Sequence, residues 1–153
     1  MNAQHVNAFL EAASHILGMY RFTLTIGKPA VRQTPCTGFE VLTVIGVSGQ
    51  LRGQVYLGYT KEDALCIVSN MMGGVVVADL DSMAQSAIAE IGNMICGTAT
   101  IQLSQHGMAV DITPPAVIMG NSVEVARSEK SLIAIPIQME GLDGMELCLA
   151  LEG

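Results

Sequence analysis

Twelve residues near the start of the chain, Asn7 to Gly18, lie over twelve in the middle, Ser86 to Gly97, without a gap. Ala8 matches Ala87, Glu11 matches Glu90, Ile16 matches Ile95 and Gly18 matches Gly97. After each stretch comes a Pro-Ala-Val, at Pro29 to Val31 and at Pro115 to Val117, and after each of those a hairpin pattern. Self-similarity of this kind limits the fold more than composition does, because two similar halves must bury their apolar faces together. The expectation is one domain, 1–153, made of repeat halves of about 1–76 and 79–153 related by an approximate twofold axis. A chain of 153 residues with 50% apolar content has enough material for such a core.

Three helices are predicted. The first covers Gln4 to Met19, with Val6, Phe9, Leu10, Ala13, Ile16 and Leu17 at helical spacing. The second starts at Thr60, where Thr60-Lys-Glu-Asp63 resembles a capping box, and stops at Gly73. The third starts at Ser82, with Ser82-Met-Ala-Gln85 as its capping pair, and runs to about His106 before Gly107, roughly 35 Å of helix. Strands are predicted at Phe22 to Ile26, Phe39 to Val47, Gln54 to Tyr59, Ala116 to Met119, Ser131 to Met139 and Met145 to Leu151. Glycine-rich turns at Ser48 to Gly53 and Glu140 to Gly144 make two antiparallel hairpins. The predicted architecture is therefore an α/β fold in which an antiparallel sheet of about six strands packs against two long helices.

Composition removes several function classes. Fourteen acidic residues against seven basic ones leave a net charge of −7, and Arg21, Lys28, Arg32, Arg52, Lys61, Arg127 and Lys130 are scattered. No phosphate-neutralising patch results, and without Trp and with three Tyr and three Phe there is no stacking platform, so no nucleic acid is expected as a partner. Cys36, Cys66, Cys96 and Cys148 form no Cys-x-x-Cys pair and His5, His15 and His106 lie far apart, so no metal site is expected. Reduced thiols and an N-terminus without a basic and apolar leader pattern suit a cytoplasmic protein. The weakly charged run from Met83 to Leu103 has the length of a membrane span, but Glu90 and Asn93 at its centre make it a water-facing helix with no membrane insertion. The ten Met are read as core filling, and Ser48 and Ser128 have no base beside them.

On the third helix, about 100° per residue brings Ser86, Glu90, Asn93 and Gly97 within about 60° of one another, while Ile88, Ile91, Ile95 and Ala99 fall on the far side. A hydroxyl, a carboxylate, an amide and a bare glycine make an unusual solvent face, which would ordinarily carry Lys and several Glu. The pattern alone leaves open that these are ordinary surface residues. As chemistry, the amide can orient a water, the carboxylate can anchor an ammonium, and the glycine admits close approach. That suits phosphoryl hydrolysis, where catalysis is positioning plus electrostatics, with the partner bringing the phosphate and its cation.

Ser86-x-x-x-Glu90-x-x-Asn93, with Pro115 following 22 residues after Asn93 in Val110-Asp-Ile-Thr-Pro-Pro-Ala-Val117, resembles the signature of the CheC/CheX family, phosphatases of the phosphorylated chemotaxis response regulator CheY. The resemblance spans nearly the whole chain, including Val41-Leu-Thr-Val-Ile-Gly-Val47, Met71-Met-Gly-Gly74 and Gly92-Asn-Met94. It is nearest to CheX members, which carry one active motif and pair as homodimers. The resemblance implies a CheC-like fold, with Asn93 orienting the water that attacks the regulator's aspartyl phosphate and Glu90 contacting a regulator lysine. Ser86 and Pro115 match the flanking motif positions, and Gly97 adjoins them. No cofactor of the chain's own is implied; Mg2+ is expected on the partner. In the first half the matching place is Glu11-x-x-Ser14, where a hydroxyl replaces the amide, and that half is expected to be inactive. The alternative function is a non-catalytic CheC-like binding module of a chemotaxis or flagellar-switch complex.

Overall fold

The computed structural model describes residues 1–127 and 130–153, so Ser128 lies outside the described residues. The chain begins with helix α1 (Ala3–Met19), started by Asn2, whose side chain accepts from the His5 backbone N–H at 3.1 Å while His5 Nδ1 accepts from the Asn2 N–H at 3.3 Å. Phe9, Ala12, Ala13, Ile16 and Leu17 form its buried stripe. Two short strands follow, β1 (Leu24–Ile26) and β2 (Ala30–Arg32), then the hairpin of β3 (Val41–Gly49) and β4 (Arg52–Tyr59). Helix α2 (Lys61–Met71) is capped by Thr60, which accepts from the Asp63 N–H at 3.1 Å. The Asp63 carboxylate does not close a capping box; it is buried and accepts from the N–H groups of Asp143 and Gly144, tying α2 to a distant turn.

Helix α3 (Ser82–Gln105) is the longest element, at 24 residues. Its N-cap is Asp81 rather than the expected Ser82: Asp81 Oδ1 accepts from the Ala84 N–H at 2.9 Å, and Gln85 donates to the Leu80 carbonyl instead of closing a box. An anionic side chain at the positive end of the helix is the stronger cap, so it sets the start one residue earlier. Strands β5 (Val110–Ile112), β6 (Ala116–Met119), β7 (Leu132–Met139) and β8 (Met145–Glu152) complete the chain.

The strands form a single antiparallel sheet in the order β1-β7-β8-β4-β3-β5, with β2 also on β7 and β6 also on β3. Its centre is the β4–β8 pair, in register from Arg52 opposite Glu152 to Tyr59 opposite Met145. Both expected hairpins are present, with Gly49, Gly53, Gly141 and Gly144 at positive φ in their turns. At Gly53 a Cβ would stand 1.9 Å from the Ala150 carbonyl oxygen, so no other residue fits there. The sheet has eight strands rather than about six. The two missed ones, β2 and β5, span three residues each, too few to produce an alternation, and β2 is exposed throughout.

One face of the sheet, with Ile45, Leu57, Ile135 and Leu147, forms a core with all three helices. The other face carries a smaller cluster of Leu42, Tyr56, Leu132, Ala134 and Cys148, covered by Cys36 and Phe39 from one loop and Val123 and Val125 from another. Among the described residues no helix is long and apolar enough to cross a membrane.

Candidate functional site

The third helix is set down hard on the sheet at one residue. A Cβ on Gly92 would stand 2.9 Å from Thr43 Cγ2 and 3.2 Å from Ile45 Cδ1, so only glycine lets α3 approach β3 this closely. Ile88, Ile91, Ile95 and Ala99 are fully buried around it. With that face committed to the core, the helical repeat turns Ser86, Glu90, Asn93 and Gly97 outward. Ser86 and Glu90 are exposed, and Asn93 and Gly97 are half-buried. The expected stripe is thus present, and its side chains are unoccupied: neither the Glu90 carboxylate nor the Asn93 amide has a hydrogen-bond or ionic partner among the described residues.

Pro115 sits in the short link between β5 and β6, which share the edge of β3 opposite β4 and on which α3 also packs. The link is fixed to β3 by a reciprocal pair: Gly46 N–H donates to Thr113 Oγ1 at 2.8 Å, and Thr113 N–H donates to the Gly46 carbonyl at 2.9 Å. Gly97 has nothing within 4 Å of where its Cβ would be. A glycine inside a helix costs about 1 kcal/mol relative to alanine, and no packing in this chain requires it. The space above Gly97 is open.

Two further residues extend the stripe and were not picked out from the sequence. Met83 and Ile101 are 47% and 61% exposed and lie on the line of Ser86, Glu90 and Gly97 at helical spacing. The sign was there in the pattern: apolar residues one turn beyond each end of a polar stripe, on a helix whose core face was already assigned. Of five cavities of about 240 to 460 Å³ on the surface, one of about 460 Å³ reaches the stripe at Met83, and none of the five is lined by Ser86, Glu90, Asn93 or Gly97. Glu90 and Asn93 therefore present a helix face rather than a pocket, a shape for a macromolecule that brings its own cavity.

The Ser86 hydroxyl on this face has no hydrogen bond to a base among the described residues. Cys96 is on the buried side of α3, where burial pushes its thiol up to about 12. The chemistry available is that of the amide and carboxylate: donors and an acceptor to hold a water, and a negative charge to hold a cation. On α1 the corresponding Glu11 and Ser14 are both exposed, but Glu11 lines a cavity of about 380 Å³ with Gln4, Asn7, Gln102 and His106, between the start of α1 and the end of α3.

Residues 41–138 match the protein family described as chemotaxis phosphatase CheX. The chain is 34% identical, over 99% of its length and 98% of the relative's, to the CheY-P phosphatase CheX of Thermotoga maritima. Its fold is similar to that of a CheC-like superfamily protein from Shewanella sp. PV-4, with a TM-score of 0.90 at 26% identity over all of both chains. It also shares the fold of the CheX in a CheX–CheY–BeF3–Mg2+ complex from Borrelia burgdorferi, with a TM-score of 0.82 at 24% identity over 97% of this chain and 98% of that one.

Proposed function

This chain belongs to the CheX family of chemotaxis phosphatases, and from that premise we propose that it hydrolyses the aspartyl phosphate of a phosphorylated CheY-like response regulator. The observation that carries the reading is the outward pair Glu90 and Asn93 on α3, without partners of their own among the described residues. In this reading the Asn93 amide holds a water in line with the phosphorus, and the Glu90 carboxylate anchors a lysine beside the regulator's phosphate. The regulator supplies the phosphate and the Mg2+ that neutralises it, so α3 contributes no metal ligand. Gly97 admits the regulator's backbone, while Ser86, Pro115, Met83 and Ile101 edge the contact.

The finer architecture follows the same reading: one domain of two repeat-related halves, each a long helix followed by four strands. The strand pairing supports it, since exchanging β1 to β4 for β5 to β8 turns every pairing into another that is present. We further infer a cytoplasmic homodimer joined through sheet edges. Its support is the exposure of Ile26 and Val31 on one outer edge and of Ile118 and Met119 on the other, an arrangement that leaves unpaired strands at risk of non-specific pairing. Sedimentation giving a monomer at micromolar concentration would remove the dimer.

The test of the function is phosphate release from a phosphorylated CheY-like regulator with and without this protein. Acceleration at substoichiometric amounts is expected; release at the regulator's own rate would leave a binding module instead.

A further inference from the structure

A second cluster of chemistry-bearing side chains lies on the other face of the sheet. Glu146 and Cys148 are two apart on β8, so both point to that face, and the loop before β3 lays Cys36 across them. Cys36 Sγ is 3.4 Å from Cys148 Sγ, and Cys148 Sγ is 3.2 Å from Glu146 Oε1. One ligand atom from each residue lies within 4.8 Å of the other two, and all three residues are buried. Arg32, on β2, holds the carboxylate from the outside, with Nη1 at 3.3 and 3.4 Å from its two oxygens.

We propose that Cys36, Cys148 and Glu146 bind one thiophilic divalent cation, zinc being the natural choice, which pins the loop before β3 to the central strand β8. Around tetrahedral zinc, with Zn–S of about 2.3 Å and Zn–O of about 2.1 Å, neighbouring ligand atoms stand roughly 3.5 to 3.8 Å apart. The Cys36–Cys148 and Cys148–Glu146 edges are within a few tenths of an ångström of that triangle, and the third is within 4.8 Å. Charge also closes: two thiolates and a carboxylate, a doubly charged cation and the Arg32 guanidinium sum to zero, with Arg32 as the outer partner that metal-bound carboxylates usually have. A soft pair of sulfurs selects zinc over magnesium or calcium.

Two features show how closely the loop is held. Cys36 takes φ of +46°, in the left-handed region that non-glycine residues avoid, a conformation that persists only where surroundings enforce it. Beneath it, a Cβ on Gly58 would stand 2.8 Å from Cys36 Cβ, so glycine on β4 makes the room for the loop. A cavity of about 360 Å³ lined by Pro35, Tyr56 and Leu132 lies near the cluster, whose three side chains are themselves buried; Tyr56 pairs with Cys148 across the strands. A disulfide is the competing use of two adjacent thiols. Against it, the two sulfurs stand 3.4 Å apart, well beyond the ~2.05 Å of an S–S bond.

The test titrates the reduced, chelator-treated full chain with Co2+, then with Zn2+. One Co2+ per chain with sulfur-to-cobalt charge-transfer absorption is expected, displaced by Zn2+. Zinc at a hundredfold excess over its Kd should raise the melting temperature by about 5 to 10 °C. Cys36→Ser and Cys148→Ser should abolish the absorption and the shift, Glu146→Gln should weaken both, and Cys66→Ser should change neither. The parent's own titration keeps the proposal open to refutation if a variant fails to fold. No cobalt bound by a parent with four titratable thiols would overturn the site, as would binding that survives loss of either cysteine. A parent that has lost two thiols and two hydrogens of mass to a disulfide would also overturn it.

Discussion

The helices α1 and α3 carry the same local device, a carboxylate followed three residues later by a polar side chain, yet they present it differently. Glu90 and Asn93 stand on a helix seated by Gly92, beside the room left open at Gly97 and between the exposed apolar side chains of Met83 and Ile101. Glu11 stands beside Gln102 and His106, in a cleft made partly by the end of α3 itself, and Ser14 is exposed one turn further on. Ser14 is also too short: a hydroxyl has one donor where the amide has two donors and an acceptor. What distinguishes the proposed active face from its counterpart is thus the surroundings as much as the motif, because a water can be held in line only where a partner's phosphate can reach.

The largest effect that would break this contrast is at Asn93. Asn93→Ala should lower hydrolysis by about 10²-fold, since misplacing the attacking water costs that much, while a melt followed by circular dichroism stays near the parent's. Equal loss from Ser14→Ala would erase the distinction between the two helices; its turnover is expected to match the parent. Next comes Glu90. Glu90→Gln should weaken affinity for a stably phosphorylated regulator mimic by about tenfold to a hundredfold through loss of a charge-assisted contact, and Glu90→Lys should weaken it further, both read by titration calorimetry.

A smaller effect is expected at the rim. Ile101→Asp, at a position already 61% exposed, should leave the fold intact and lower the same affinity by about tenfold if this side chain is an apolar anchor. The smallest change sharpens the comparison most. Gly97→Ala should raise stability by roughly 0.5 to 1 kcal/mol in a denaturant melt, because its Cβ meets open space, and should weaken the complex severalfold because that space is used by the partner. Gly18 is the matching position at the end of α1, also with open space around its Cβ, and Gly18→Ala should leave the complex unchanged.

Much of this was readable before any fold was in hand, and the reason is periodicity. The apolar repeat of α1 and α3 located both helices, and glycines at Ser48 to Gly53 and Glu140 to Gly144 located both hairpins. The same repeat that buried Ile88, Ile91 and Ile95 turned Glu90 and Asn93 outward. What stayed hidden lacked a period or a neighbour in sequence. Strands β2 and β5 are three residues long and exist because β7 and β3 offer free edges. Asp63 reads as a capping residue until the turn at Asp143 is brought to it. The Cys36, Glu146 and Cys148 cluster joins residues 110 apart or more, and its one local sign was the alternation Glu146-x-Cys148 on a strand.

The central claim is that α3 divides the work, Asn93 serving the reaction and Glu90 serving recognition. It is tested most directly by initial rates of phosphate release, measured across a range of phosphorylated regulator for the parent, Asn93→Ala and Glu90→Gln. The account predicts that Asn93→Ala lowers kcat with KM little changed, and that Glu90→Gln raises KM by more than it lowers kcat. Parental kinetics in Asn93→Ala would contradict it.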